Sequence, residues 1–433
     1  MTSKEVIVVF DIGKTNKKVL VYDRRYQLIN EFSTRLQEVA DKDGFHSESI
    51  PALTNFIYDS LDKLLTDPAI SIKAINASAY GASLVYMSND IPLGMAVENY
   101  LKPFPEMLAM DFYDQYGGKQ QFSIETASPS LGSLNAGLQL YRRKMDDPDH
   151  FEKCTQVLHL PQFIAWLIHK NYFTEITSLG CHTALWDYVN WNYHHWVLNE
   201  ALLSKLAPIR KATEPIEVVY KQNKVLAGTG MHDSSAALVP YLKFINEPFA
   251  LLSTGTWCIT LNPFNDLPLT EAELEQDVVC YITHEGKQIK ASRLFGGAWH
   301  EDEVARIGAY FHCKSGWHEA IPFESSLIVE EERSLDSFPN ASSAYHYFMH
   351  RFVKKQVKAI RLVTFHTTVQ SLLVDGGFSH NTIFLQLLKQ ELPELKIKVA
   401  IVPQGSSLGA ALVLHDSWNS GPMPADLIKI KSI

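Results

Sequence analysis

Residues 6–23 read VIVVFDIGKTNKKVLVYD. A continuous apolar run ends in an acid and a glycine, a short polar turn follows, and a second β-rich run begins at once. An unbroken Val/Ile/Phe run of this length reads as a strand buried on both faces. The turn leaves no room for a helix, so the chain opens as a hairpin, and LINEFS (28–33) supplies a third strand. This start is a meander and not the βαβ unit that opens a dinucleotide-binding fold. Gly13-Lys14-Thr15 is not a Walker A loop either, because that loop needs a glycine five residues earlier, where Val8 stands, and a helix afterwards. A tight hairpin presenting backbone N–H groups together with Lys14, Thr15, Asn16 and Lys18 can hold phosphates through nest and point-charge contacts. Read alone, the same residues also suit a plain polar turn.

The pattern returns in the second half. FALLSTGTWCITLNPF (249–264) is again strand, glycine turn and strand, with hydroxyls at Ser253, Thr254 and Thr256 around Gly255. Between the two hairpins lie a helical pattern at 50–65, a buried-strand run at 72–87 and a mostly helical stretch from about 128 to 207. After an irregular region come a long helix near 342–361, the strand SLLVDGG, a helix from Asn381 and the strand KIKVAIV. DGGFSHN (375–381) puts glycine backbone at a strand's carboxyl end, where ligands of α/β folds bind. Two halves that each open on a hairpin around a polar glycine turn predict a duplicated α/β architecture with a cleft, divided near residue 243.

Residues 227–238, AGTGMHDSSAAL, carry Gly228 and Gly230 as G-x-G, but Asp233 occupies the place of a third glycine. An acid before Ser-Ser-Ala-Ala is what a helix N-cap favours, and it is also where a reactive carboxylate could stand. QGSSLGAAL (404–412) satisfies G-x-S-x-G, yet a hydrolase would need an acid and then a histidine downstream. Only Asp416 and Asp426 follow, and His415 precedes both, so this stretch is expected to start a helix capped by Ser406 or Ser407. NYHHW (192–196) lacks ligand spacing and reads as packing or surface residues, and HRFVKKQVKAIR (350–361) as a solvated helix face.

Composition narrows the class. The chain has 433 residues, 46% hydrophobic and 20% charged, enough for two or three domains with sizeable cores. A net charge of -9 without a basic stripe argues against nucleic acid. Five isolated cysteines with no C-x-x-C predict neither a disulfide framework nor a thiolate zinc site. MTSKEVIVVFDIG has no signal-peptide pattern, and no run reaches the roughly 18 apolar residues of a membrane span. The expectation is a cytoplasmic enzyme, monomer or homodimer, acting on a small molecule, with no nucleic-acid or membrane partner.

Together these stretches resemble the FGGY carbohydrate kinases over nearly the whole chain. The resemblance rests on Asp11-Ile12-Gly13-Lys14-Thr15-Asn16-Lys17-Lys18, Ser253-Thr254-Gly255-Thr256, Gly376-Gly377-Phe378-Ser379-His380-Asn381 and Gly405-Ser406-Ser407-Leu408-Gly409-Ala410-Ala411, with EITSLGCHTALWDYVNW (175–191) similar to a central family segment. It implies the α/β, two-lobed ribonuclease H-like fold of actin, sugar kinases and heat-shock ATPases, with a central cleft. An N-terminal lobe over 1–242 would bear the sugar site, the first phosphate hairpin and the catalytic aspartate; a C-terminal lobe over 243–433 would bind nucleotide. ATP and Mg²⁺ are the implied cofactors. Gly230-Met231-His232-Asp233 matches the turn that holds the family's catalytic aspartate, which makes Asp233 the expected base, kept ionised by the helix start.

By the same resemblance His232, Tyr80, Gly81 and Ser83 would meet the sugar with Asp233, and Asp11 and Asp233 would approach the metal. Gly13, Lys14, Thr15, Asn16, Lys18, Thr254, Gly255, Thr256, Gly376, Gly377 and Asn381 would meet the nucleotide. The His-Asp pair with Thr-Gly-Thr-Trp is most similar to the rhamnulokinase and fuculokinase branch, implying L-fuculose, L-rhamnulose or another 6-deoxy ketose; other ketoses or polyols, such as ribulose, xylulose, erythrulose and glycerol, and a non-catalytic sugar- or nucleotide-binding relative, are the alternatives. Three positions depart from that branch. Tyr80-Gly81-Ala82-Ser83 lacks an acid two residues after the glycine, NYLKPFPEM (99–107) replaces a Tyr-Arg-Asp block, and Gln404-Gly405-Ser406 replaces Glu-Ala-Thr.

Overall fold

The computed structural model describes residues 3–41 and 43–433. They divide into two compact units: Met1–Phe244 with Cys280–Gln288 and Pro403–Leu427, and Ile245–Val279 with Ile289–Val402 and Ile428–Ile433. The expected boundary at 242/243 lies two residues before the end of the first continuous segment, and residues 403–427 group with the first unit.

In the first unit, strands β1 (Lys4–Ile12), β2 (Lys17–Asp23) and β3 (Leu28–Thr34) form the antiparallel meander. Val6 to Phe10 are all 0% exposed, which accounts for the unbroken apolar run: β1 has strands on both edges and packing on both faces. Helix α1 (Ile50–Leu65) starts where Ser49 accepts the Ala52 N–H at 3.2 Å and Pro51 fits the first turn. It buries Ile50, Leu53, Ile57, Leu61 and Leu64 at helical spacing. Each such side chain contributes about 1.5–3 kcal/mol of burial. Strand β4 (Ile70–Ala79) runs parallel to β1. The hairpin β5 (Ile216–Tyr220) and β6 (Asn223–Ala227) and the short β7 (Met231–His232) complete a seven-stranded sheet ordered β5-β6-β4-β1-β2-β3, with β7 also on β4. Helix α2 (Asp233–Phe244) follows β7 directly. The stretch from 128 to 207 is less helical than expected, because short strands at Gln156–His159, Thr174–Glu175, Trp186–Asp187 and Asn192–Tyr193 interrupt its helices.

In the second unit, β8 (Phe249–Thr254) and β9 (Cys258–Asn262) form the second hairpin. The irregular region holds more order than its sequence pattern shows: β10 (Val278–Ile282) and β11 (Gln288–Leu294), whose residues Cys280–Ile282 and Gln288 group with the first unit, and helix α3 (Gly296–Tyr310) lie there. A Gly-Gly start lowers helix propensity and hides α3. Its second glycine is needed, since a Cβ on Gly297 would collide with the Gly255 carbonyl. Helix α4 (Ala341–Thr364) buries Tyr345, Phe348, Met349, Phe352, Val353, Val357 and Ile360, while Lys354, Lys358 and Arg361 are exposed. Then come β12 (Ser371–Gly376), α5 (Thr382–Glu391) capped by Asn381, and β13 (Lys396–Ile401). After α6 (Gly405–Leu412), which belongs to the first unit, β14 (Lys429–Ser432) closes the order β10-β11-β9-β8-β12-β13-β14. Among the described residues no helix is long and apolar enough to cross a membrane.

Candidate active site

Strand β4 measures out the first unit's site. Asp11, near the end of β1, pairs with Ser78 of β4, and on the other edge of β4 Met231 of β7 pairs with the same Ser78, with His232 opposite Ala79. Asp11 and Met231 are thus two strand spacings apart, about 10 Å. The three strands are parallel, so the row lies at their carboxyl ends, where α/β sheets bind ligands. Gly230 turns the chain into β7 at φ +73°, and a Cβ there would collide with the Pro161 carbonyl.

Asp233 is the first residue of α2. The Ser234 N–H donates to Oδ1 at 2.6 Å, and His232 Nε2 lies 3.3 Å from that oxygen; Oδ2 takes no hydrogen bond among the described residues. The helix start was expected to keep this acid readily ionised. Lost hydration instead outweighs the Ser234 bonds and pushes its pKa up to about 6, although its side chain retains 34% exposure. Asp11 is also pushed up to about 6, by burial first, against a 3.0 Å bond from the Ser406 hydroxyl and with the Asp233 charge adding to the rise. Burial draws His232 down to about 4, so its imidazole is neutral at pH 7. It lies edge-on to Tyr281, ring centres 5.6 Å apart.

Gly81 matters for what it lacks: a Cβ there would come within 2.8 Å of Cys181 Sγ and 3.2 Å of the His232 ring. Tyr80 is buried, with its ring 5.9 Å from Tyr100, and the charges of Glu48 and Asp233 both act on Tyr100. Ser83 is fully packed and donates to the Glu98 carbonyl at 3.3 Å, so its hydroxyl serves the loop's own frame.

The hairpin tip is closed by Gly13 N–H to Asn16 O at 3.0 Å, with Thr15 exposed and Asn16 accepting from Arg35 at 3.2 Å. Lys14 donates to Glu38 at 2.8 Å, and Lys18 to Gln404 at 2.9 Å. Lys17, which the sequence pattern leaves unassigned, is 2% exposed and donates to Gly13 O, Lys14 O and Glu48 Oε1 at 3.1, 2.9 and 2.7 Å. The expected cap of α6 is corrected: Gln404, at φ 55°, is its N-cap with no side-chain bond, Ser406 serves Asp11, and Ser407 bonds Tyr22 at 2.7 Å and the Gln404 carbonyl at 2.9 Å.

In the second unit, Thr254, Gly255, Thr256, Gly377 and Asn381 line one cavity of about 510 Å³ with His300, Glu301 and His318. Gly376 is not among the residues that line it. Thr254 receives the Phe378 N–H at 3.0 Å, which ties hairpin to glycine turn. Asn381 caps α5 through Phe384 N–H at 2.9 Å and donates to the Tyr345 hydroxyl at 2.8 Å, where His300 Nε2 also bonds at 2.8 Å. The histidine and glutamate of WHEDE gave no spacing signal, because they reach the cavity on one helix while Thr254 and Asn381 come from elsewhere.

Glu125, His194 and His195 place ligand-type atoms within 4.8 Å of one another. His194 Nδ1 accepts the Trp196 N–H, however, so Nε2 carries the proton that binds Glu125, and the arrangement is a buried histidine satisfied on both nitrogens.

Residues 6–239, more than half of the chain, match the N-terminal domain of the FGGY family of carbohydrate kinases. No curated protein matches the sequence. Three solved structures are similar in fold. A carbohydrate kinase from Novosphingobium aromaticivorans is 20% identical, covers 100% of this chain and 94% of its own, and has a TM-score of 0.79. A xylulose kinase from Rhodospirillum rubrum is 10% identical with 99% and 94% coverage and a TM-score of 0.80. Plasmodium falciparum glycerol kinase with ADP is 16% identical with 95% and 89% coverage and a TM-score of 0.74. The chain belongs to the FGGY family of carbohydrate kinases, phosphotransferases whose acceptor is a hydroxyl group.

Proposed function

We propose that this enzyme transfers the γ-phosphoryl group of ATP to a hydroxyl of a neutral ketose, a 6-deoxy ketohexose such as L-fuculose or L-rhamnulose first, with another ketose or a polyol (xylulose, ribulose, erythrulose or glycerol) as the alternatives. The observation that carries the reading is Asp233: a carboxylate with one oxygen uncommitted, a pKa of about 6, and a neutral imidazole beside it at a strand-end row. Phosphoryl transfer demands positioning, charge neutralisation and an acceptor for the hydroxyl proton. At pH 7 Asp233 is mostly ionised and lies close to the working range of a general base. As the acceptor oxygen bonds to the γ-phosphorus and the bond to ADP breaks, Asp233 takes the hydroxyl proton. His232, uncharged, orients the sugar by a hydrogen bond.

The Asp233 charge adds to the raised pKa of Asp11, and two carboxylates that are mostly desolvated are a donor set that a magnesium ion fits. Bound there, Mg²⁺ would neutralise phosphate charge. In the first unit the hairpin (Gly13 to Asn16, Lys18) is assigned to phosphate; in the second, the Thr254–Thr256 turn, Gly376, Gly377 and Asn381 are assigned to the nucleotide, and that unit's cavity of about 510 Å³ suits such a ligand.

The electrostatics favour a neutral acceptor. Asp11, Asp233 and Glu48 are acids, and Lys17, Lys102 and Arg143 are paired with Glu48, with Asp41 and Asp43, and with Glu98, which leaves little to hold an aldonate. The Tyr80–Tyr100 wall offers an apolar surface to a deoxy carbon, and Ser83 is left a framing role. A cytoplasmic setting, with which five free cysteines are consistent, and a monomer or homodimer complete the proposal. A coupled ADP-release assay over these sugars, with Asp233→Ala beside the wild type, tests the reading. Release with one ketose and its loss in the variant are expected; a fully active variant removes Asp233 as base, and no release with any ketose or polyol overturns the proposal.

A further inference from the structure

One buried carboxyl near Asp233 has no part in the chemistry above. Glu175 is 0% exposed and begins the short helix Ile176–Leu179. Its Oε2 accepts the Thr177 N–H at 2.9 Å and also the Thr177 hydroxyl, and the Thr177 oxygen in turn accepts the His232 N–H at 3.0 Å. The donors all point the same way, from the main chain of His232 through the Thr177 hydroxyl to Glu175. A neutral Asn–Ser pair or a water could cap a helix this short; a glutamate buried with Oε1 unbonded is a costly choice for that task alone.

We infer that Glu175 and Thr177 are positioning residues that fix the main chain at His232 and so aim the carboxylate of the residue after it. The inference rests on the reading of Asp233 as the base. The groups facing Glu175 are uncharged: the N–H groups of Ile176, Thr177 and Ser178, the Thr177 hydroxyl, and the thiol of Cys181. With no cation among them, burial pushes Glu175 up to about 8, and a protonated carboxyl keeps negative charge away from Asp233 at pH 7.

Thr177→Val keeps the side chain's shape and removes both ends of the hydroxyl's link. A displacement of the order of 1 Å at a reacting group costs about tenfold to a hundredfold in rate. With rates normalised to the concentration of folded enzyme that binds nucleotide, which removes the fall in apparent kcat that a smaller folded fraction would give, Thr177→Val is therefore expected to lower kcat by that factor with both KM values within about threefold, and Thr177→Ser to restore it. Glu175→Gln, which keeps an acceptor oxygen and is uncharged, is expected to stay within about threefold of wild type at pH 7, whereas Glu175→Leu falls as Thr177→Val does. Wild-type kcat in Thr177→Val or in Glu175→Leu, or a Thr177→Val loss that serine does not restore, overturns the inference. If those variants are fully active while Asp233→Ala is dead, the relay fails and the base stands; if Asp233→Ala is active, the base itself fails.

Discussion

Asp11 and Ser406 are joined by a 3.0 Å hydrogen bond although 395 positions separate them in the chain. The hydroxyl donates to the charged form of the acid, so its loss lifts Asp11 further above its raised value of about 6. Ser406→Ala is expected to move the acid limb of the rate profile to higher pH and to raise the Mg²⁺ concentration for half-maximal rate several-fold at pH 6, less at pH 8. Titration of Mg²⁺ at both pH values, followed by ADP release, checks this; curves identical to wild type would detach Asp11 from the metal.

Activity should be present above pH 6 and fade as the pH falls through it, since the proposed base works only when ionised. Asp233→Asn should lower kcat by about 10²–10⁴. Stability should move the other way. The native state holds the Asp233 proton more tightly than the unfolded chain, so ionising it weakens the fold as pH climbs from about 4 to 6, and the loss persists above. Melting at pH 8 should therefore show Asp233→Asn at least as stable as wild type, by thermal shift or calorimetry.

Lys17 and Glu48 are each 2% exposed and 2.7 Å apart. Removing one partner strands a buried charge, so Lys17→Met should cost about 3–5 kcal/mol, and Lys17→Met with Glu48→Gln distinctly less. Denaturant unfolding of the two variants reads the difference, and equal losses would mean that the ammonium matters for the Gly13 and Lys14 carbonyls rather than for Glu48.

Gly81→Ala places a methyl group 2.8 Å from Cys181 Sγ and 3.2 Å from the His232 ring. The expected result is a rise in sugar KM of about tenfold with ATP KM unchanged, relieved in part by Cys181→Ala, which opens the space behind. An unaltered sugar KM would take Gly81 out of the acceptor site.

The hairpins were legible because each is encoded locally: unbroken apolar runs for strands covered on both faces, and Gly13 or Gly255 between them. Asp11 and Asp233 stood out for the same reason, since each ends a recognisable strand or opens a helix. Partners far apart in the chain left no local trace. Ser406 read as a helix cap, Lys17 as one more polar turn residue, and Tyr100 as part of a block that had lost its arginine and aspartate. Asp233 is ionised at pH 7 as the helix start suggests, but its raised pKa escaped, because the helix start is local and visible whereas the desolvating neighbours are gathered by the fold. Helix Gly296–Tyr310 was hidden by the two glycines at its start.

The pairing of Asp11 and Met231 with one shared residue, Ser78, has an evolutionary consequence. The separation of the two acids is gauged by main-chain hydrogen bonds across β4 and not by any side chain that meets a sugar. Side chains at 99–107 lie outside that ladder and can be exchanged without resetting it, so a lineage can sample new acceptors while the strand spacing is inherited unchanged; Gly81 is not free in this way, because a Cβ there would come within 3.2 Å of the His232 ring.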